Sequence, residues 1–252
     1  MTIVDLSAEI APSPPETPPV FRTEIDYHDH AAGAAQAQEL LHVPPELFRA
    51  SEGWATETIK RLGTHDCTHV DAPWHYNSQI GNAQAQTIDQ LPLHWFFGPG
   101  IALDMRHKED GDSVTIEDAK SALEAIHHAL KPGEIVLIQT GCDRHYGAPD
   151  YAFRGPGVTA EATLWLWDQG IRVMGIDAWG WDAPLDQQAR EALTRREKGV
   201  MWAAHQIDRP YAHIERLVNL STLPHSGFTV ACFPLKIRDA SAGPCRAVAI
   251  LP

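Results

Sequence analysis

The chain has 252 residues, 44% of them hydrophobic, and a formal net charge of −13. That length and apolar content are enough for a packed core and exclude a disordered chain. The acidic balance repels phosphate backbones and anionic lipid, so neither a nucleic-acid nor a membrane partner is expected.

No apolar run approaches the roughly 20 residues of a membrane span. The opening MTIVDLSAEI has neither the basic nor the long apolar segment of a leader. Cys67, Cys142, Cys232 and Cys245 lie far apart with no C-x-x-C pairing, which reads as free thiols in a cytoplasmic protein.

In chain order, residues 1–5 read as a short strand. Residues 11–21, APSPPETPPVF, carry five prolines, so they read as an extended arm: a cover for a site, a reach to a neighbouring subunit, or a plain linker. A short helix is expected within 37–50 and a strand within WATETIKRLG (54–63). TIDQLPLHWFFG (87–98) reads as a turn and an apolar segment, and IALDM (101–105) as a buried strand.

The clearest helix is 114–130, with Ala119, Ala122, Leu123, Ile126 and Leu130 on one face. Thr115 supplies its N-cap, Asp118 the reciprocal acid, and Lys131-Pro132-Gly133 its stop. EIVLIQTG (134–141) reads as a buried strand, 159–169 as a helix closed by Gly170, IRVMGID (171–177) as another strand, and 185–197 as a polar helix. TVACFPLKI (229–237) and CRAVAIL (245–251) are β-rich. Strands alternate with helices and no composition break appears. The expectation is one α/β domain over 1–252, with a mixed sheet as its core and helices flanking it.

The densest chemistry is HDCTHVDAPWH, residues 65–75. In a strand, residues two apart share a face, so His69 and Asp71 can converge, and His65 can join from a preceding turn. Two imidazoles and a carboxylate form a facial set that leaves metal positions open. Those ligands suit Zn²⁺ or Mn²⁺ better than Mg²⁺. Cys67 reads as a small buried residue or a fourth ligand. Pro73 turns the chain and leaves His75 beside the metal, where a general acid–base belongs. The plain alternative is a structural histidine cluster.

Aromatic residues crowd the motifs, and Trp74, Trp95, Trp179 and Trp202 are the candidate substrate walls, with core packing as the alternative for each. Arg144 and His145 occupy a loop after a strand end, which reads as a ligand contact or as a solvated loop. There is no G-x-S-x-G elbow and no G-x-G-x-x-G.

HDCTHVDAPWH resembles the signature of the metal-dependent cyclase family, which includes bacterial kynurenine formamidase and isatin hydrolase. Cys67 stands where that signature has glycine. Thr140-Gly141, GIDAWGWD (175–182), HIERLVNLSTLP (213–224) and FPLKIRDASAG (233–243) extend the resemblance over most of the chain. It implies a swivelling β/β/α fold with a barrel-like core. It implies His65, His69 and Asp71 as metal ligands and His75 as the acid–base.

A later His and Glu complete the site in the family. His205 and Glu215 are the best matches here, with His213 competing for the place of His205. The cofactor implied is a divalent Mn or Zn ion, one or two per subunit, in a homodimer or homotetramer. The activity implied is hydrolysis of a C–N bond in an aromatic amide, by a water made nucleophilic at the metal. The substrate would be a cyclic lactam such as isatin or an N-formyl aryl amine such as N-formylkynurenine. The alternatives are a lactone hydrolase of the same family and a non-enzymatic metal-binding protein.

Overall fold

Nine strands of this chain pair into a single mixed sheet. The computed structural model describes all 252 residues and divides them into two compact units, Met1–Ala8 with Cys67–Pro252, and Glu9–Asp66. The sheet belongs to the first. Its strands are β1 (Thr2–Asp5), β2 (His69–Asp71), β3 (Phe97–Asp104), β4 (Ile135–Gln139), β5 (Val173–Ile176), β6 (Ala212–Glu215), β7 (Phe228–Ala231), β8 (Ala242–Pro244) and β9 (Val248–Leu251).

The spatial order is β1-β9-β7-β3-β4-β5-β6-β2-β8. The central run β3-β4-β5-β6 is parallel and both wings are antiparallel. The sheet curls until its ends approach: Ser7, just past β1, bridges Leu217, just past β6, and the Ala8 amide donates to Thr68 Oγ1 at 3.0 Å. This is the mixed, barrel-like α/β core expected from the sequence.

Alternation along the central strands divides the core in two. Ile101, Leu103, Val136, Ile138, Met174 and Ile176 face one cluster, which Ala119, Leu123, Ala162 and Leu166 of helices α1 (Ile116–Ala125) and α2 (Ala160–Asp168) cover. Ala102, Ile135, Leu137, Val173, Val70 and Ile214 face the other, with Phe228, Val230 and Ala249. These strands are buried on both sides, which explains their nearly unbroken apolar runs. No helix is long and apolar enough to cross a membrane.

Local signals account for the helix ends. Thr115 and Asp118 form the reciprocal cap of α1. The helix nevertheless stops at Ala125, five residues short of the expected end. His127 adopts φ 51°, and the amides of His127 and His128 return to Glu124 and Leu123. That is a Schellman closure made without glycine. α2 ends where Gly170 takes φ 89°. A third helix, α3, runs Leu185–Arg195 and is closed by Arg196 at φ 52°.

In the second unit, Glu24–His28 pairs antiparallel with Thr56–Arg61. The helix expected within 37–50 begins earlier and spans His30–Leu41, because the Asp29 side chain caps it by accepting from the Ala32 amide at 2.9 Å. His42 at φ 57° ends it. The proline arm holds one 3-10 turn, Pro19–Phe21, and the Arg22 guanidinium donates to the carbonyls of Pro15 and Thr17.

Candidate metal centre

The centre is written into strand register. β2 and β6 run antiparallel with His213 opposite Asp71, Ile214 opposite Val70 and Glu215 opposite His69. Val70 and Ile214 point into the core on one face of the sheet. The period-two pleat therefore sends His69, Asp71, His213 and Glu215 to the other face as a rectangle of four donors. The distances agree: His69 Nε2 lies 3.1 Å from Asp71 Oδ1 and 3.7 Å from Glu215 Oε2. His213 Nε2 lies 3.1 Å from Asp71 Oδ2 and 3.3 Å from Glu215 Oε1.

A fifth donor arrives from outside the sheet. His205 ends a turn that Asp182 holds: the carboxylate accepts from the amides of Ala204 at 2.8 Å and His205 at 3.0 Å, and from His205 Nδ1 at 2.5 Å. Its Nε2 is thereby aimed inward, 3.4 Å from Glu215 Oε1 and 3.1 Å from His213 Nε2. His69 is oriented in the same way, with Nδ1 2.6 Å from the Cys67 carbonyl. Glu215 is fixed by the Trp181 amide, which donates to Oε1 at 2.8 Å.

Pro73 opens the one-turn helix Pro73–Tyr76, which carries His75 to 3.9 Å from Asp71 Oδ2. His75 keeps some exposure, whereas Asp71, His205, His213 and Glu215 are all buried. His65 is half-buried and lies in the unit Glu9–Asp66.

The electrostatics of this set favour positive charge. Burial opposes a charged His205, yet hydrogen bonds to the Asp182 and Glu215 carboxylates overcome it and lift its pKa to about 10. His213 is also raised: burial and the His205 charge oppose it, and Asp71 and Glu215 prevail. Burial alone would raise Glu215, but the two imidazoles hold it well below the carboxylate range. The pocket draws positive charge from any source. Protons are one source, but two imidazolium groups would set their Nε2 hydrogens against each other across 3.1 Å, and His213 Nδ1 is buried without a hydrogen-bond partner. Asp71, His205, His213 and Glu215 offer ligand atoms all within 4.8 Å of one another. Imidazole with carboxylate in these numbers fits a transition-series divalent cation.

The family model described as "Putative cyclase" matches residues 4–183. The chain belongs to this cyclase family. Among curated relatives, it is similar to a kynurenine formamidase of Bacillus mycoides, 25% identical over 96% of this chain and 92% of that one. It is also similar to a kynurenine formamidase of Salinibacter ruber, 32% identical over 75% of this chain and 76% of that one. An isatin hydrolase of Roseibium aggregatum is 28% identical over 76% of this chain and 73% of that one. The solved isatin hydrolase A of Labrenzia aggregata, bound to benzyl benzoate, superposes with a TM-score of 0.73 at 24% identity, over 99% of this chain and 93% of that one.

In this cyclase-family chain, His213 joins the cluster together with His205 rather than competing with it. The signal was available in the sequence, since His213-Ile214-Glu215 repeats the alternation of His69-Val70-Asp71. Asp182 carried no such signal, because its role depends on a turn that returns 23 residues later. Of the four tryptophans, Trp202 stacks on His205 with ring centroids 5.5 Å apart and lies 5.3 Å from His75. Trp179 lies in the loop after β5 and Trp74 is 37% exposed. Trp95 packs against the core on the face of the sheet opposite the donors, so it is a core residue rather than a wall of this site. Cys67 is buried with its thiol on the Thr68 carbonyl, as a small structural residue.

Proposed function

We propose that this chain is a metal-dependent hydrolase that cleaves the C–N bond of an aromatic amide, either a cyclic lactam such as isatin or an N-formyl aryl amine such as N-formylkynurenine. The observation that carries the reading is the registered donor set of β2 and β6 in a chain whose relatives are named kynurenine formamidase and isatin hydrolase. His69, Asp71, His205, His213 and Glu215 would hold one or two Mn or Zn ions, with His65 supplied from the start of the HDCTHVDAPWH signature. When bound, such a cation polarises a carbonyl and makes a water acidic near neutral pH.

The remaining work falls to side chains. Asp182 engages His205 Nδ1, so that with a cation bound the imidazole would present its Nε2 lone pair. The Trp181 amide fixes Glu215. His75 is more exposed than the donors, and in this reading it takes a proton from the attacking water and delivers it to the leaving nitrogen. An anilide anion leaves badly, so this delivery matters more for an amide than for an ester. Trp202, against His75 and His205, would offer an aromatic wall for a planar substrate, with Trp74 and Trp179 as further walls.

The test is to strip the purified protein of metal, reload it with Mn²⁺ or Zn²⁺, and assay isatin and N-formylkynurenine. Turnover that depends on the ion is expected. Tight ion binding with no turnover of either compound would remove both substrates.

A further inference from the structure

Arg216 follows Glu215 directly and is the one arginine that the fold buries, at 8% exposure. Five exposed arginines have carboxylate partners: Arg106 with Asp104, Arg154 with Asp110 and Asp150, Arg190 with Asp186, Arg195 with Glu191 and Glu197, and Arg246 with Asp5. Arg216 has none. Its Nε donates to the Trp179 carbonyl at 3.3 Å and its guanidinium lies 4.6 Å over the Trp179 ring. No protein acceptor meets the two terminal nitrogens. Glu215 is no partner for it, being engaged with the Trp181 amide and the imidazoles of His205 and His213. Burying a guanidinium without an anion is unfavourable unless an anion arrives from elsewhere.

The backbone is committed to this placement. Arg216 adopts φ 59°, a left-handed conformation rare for a residue with a Cβ. Three contacts fix it there. Its amide donates to the Ala178 carbonyl at 3.0 Å, its carbonyl accepts from Thr68 Oγ1 at 2.6 Å, and the next amide, Leu217, reaches Ile176. The end of β6 is thus laced to the 178–181 loop, and the same loop holds Glu215. An uncommon backbone conformation, held by several bonds beside the donor cluster, turns this side chain onto an indole. A guanidinium with one face on an aromatic ring keeps its edge for a planar, two-point anion.

We propose that Arg216 anchors a carboxylate on an aromatic ligand, so that this site takes aryl amides that carry a carboxylate or release one on ring opening. The proposal rests on the hydrolase reading for its substrate class and deepens it.

The test uses metal-loaded wild type, R216Q and R216K. Each is titrated calorimetrically with benzoate and with neutral benzamide, and assayed on N-formylanthranilate and on formanilide. Benzoate should bind wild type more tightly than benzamide does, and R216Q should weaken benzoate alone by about ten- to a hundredfold. R216K keeps the charge but lacks the fork, and should fall between the two. The KM for N-formylanthranilate should rise in R216Q by about that factor more than the KM for formanilide.

Melting curves and metal content identify properly folded variants, and the wild-type preference for the carboxylated ligands needs no variant. Unchanged benzoate binding in folded, metal-replete R216Q overturns the anchor, as does an equal loss for benzamide or the absence of any wild-type preference. If no amide is hydrolysed yet benzoate binding depends on Arg216, the anchor stands and the hydrolase reading fails. If both amides are hydrolysed and R216Q alters neither, the anchor fails and the hydrolase reading stands.

Discussion

Asp182→Asn probes the centre from outside its ligands. In the native protein three N–H groups converge on two carboxylate oxygens: Ala204 N on Oδ1, and His205 N and Nδ1 on Oδ2. Asparagine keeps one oxygen. If that oxygen faces His205, the amide NH₂ opposes the Ala204 N–H and leaves a buried donor unpaired, a loss of about 1–3 kcal/mol. If it is flipped, two N–H groups of His205 are stranded instead. Either way the charge that engages His205 Nδ1 is gone.

Taking about 2 kcal/mol, and about 2–4 °C per kcal/mol for a chain of this size, the melting temperature should fall by about 4–8 °C. Loss of an orienting partner of this kind typically weakens metal binding by about 10–100-fold. Competition against a chromogenic chelator reads the affinity, and melts with and without metal read the stability. An Asp182→Asn protein with native melting and native ion affinity would refute the claim that Asp182 aims His205.

Three further outcomes are expected. His75→Ala should lower turnover on an aryl amide by about 10²–10⁴-fold while metal content stays native; retained turnover would move the proton-transfer role to another group. Leu137→Ala, in the fully buried core on the far side of the sheet, should cost about 2–5 kcal/mol in denaturant unfolding. A cost under about 1 kcal/mol would show that the curled interior is loosely packed.

Asp177 is buried, and burial lifts its carboxyl from 3.8 to about 6 against the donors of Thr140 and Gly141. The unfolded chain releases that proton near 3.8 while the folded chain still holds it. Stability contributed by this group therefore falls as pH rises from about 4 through about 6, by about 3 kcal/mol, and is flat above. Wild type minus Asp177→Asn, in unfolding free energy across that range, should show this slope; parallel curves would contradict it.

The sequence made the centre legible where its chemistry is local. His69 and Asp71 could be placed on one face because a strand alternates, and His75 could be set apart because Pro73 stands between it and Asp71. The fold class was legible because strands buried on both faces lose alternation and read as apolar runs. What pairs those runs was not legible. Strand order, and with it the register that sets His213 against Asp71, depends on segments some 140 residues apart with no local mark. The end of α1 was not legible for a different reason: His127 accepts a conformation usually left to glycine, so the helix closes before the visible stop at Pro132-Gly133. Trp95 shows the limit of proximity in sequence, since it neighbours the motifs along the chain yet packs behind the sheet.

The pairing of β2 with β6 has a consequence for how the protein matures. Neither strand alone carries enough donors to retain an ion, and the residues between them must find their places in the sheet before the two meet. A chain still folding, or one released early from synthesis, offers only scattered histidines. On the metal-centre reading, ion uptake would report completion of a long-range step in assembly, and a single-residue insertion in either strand would abolish it by turning half the donors to the wrong side.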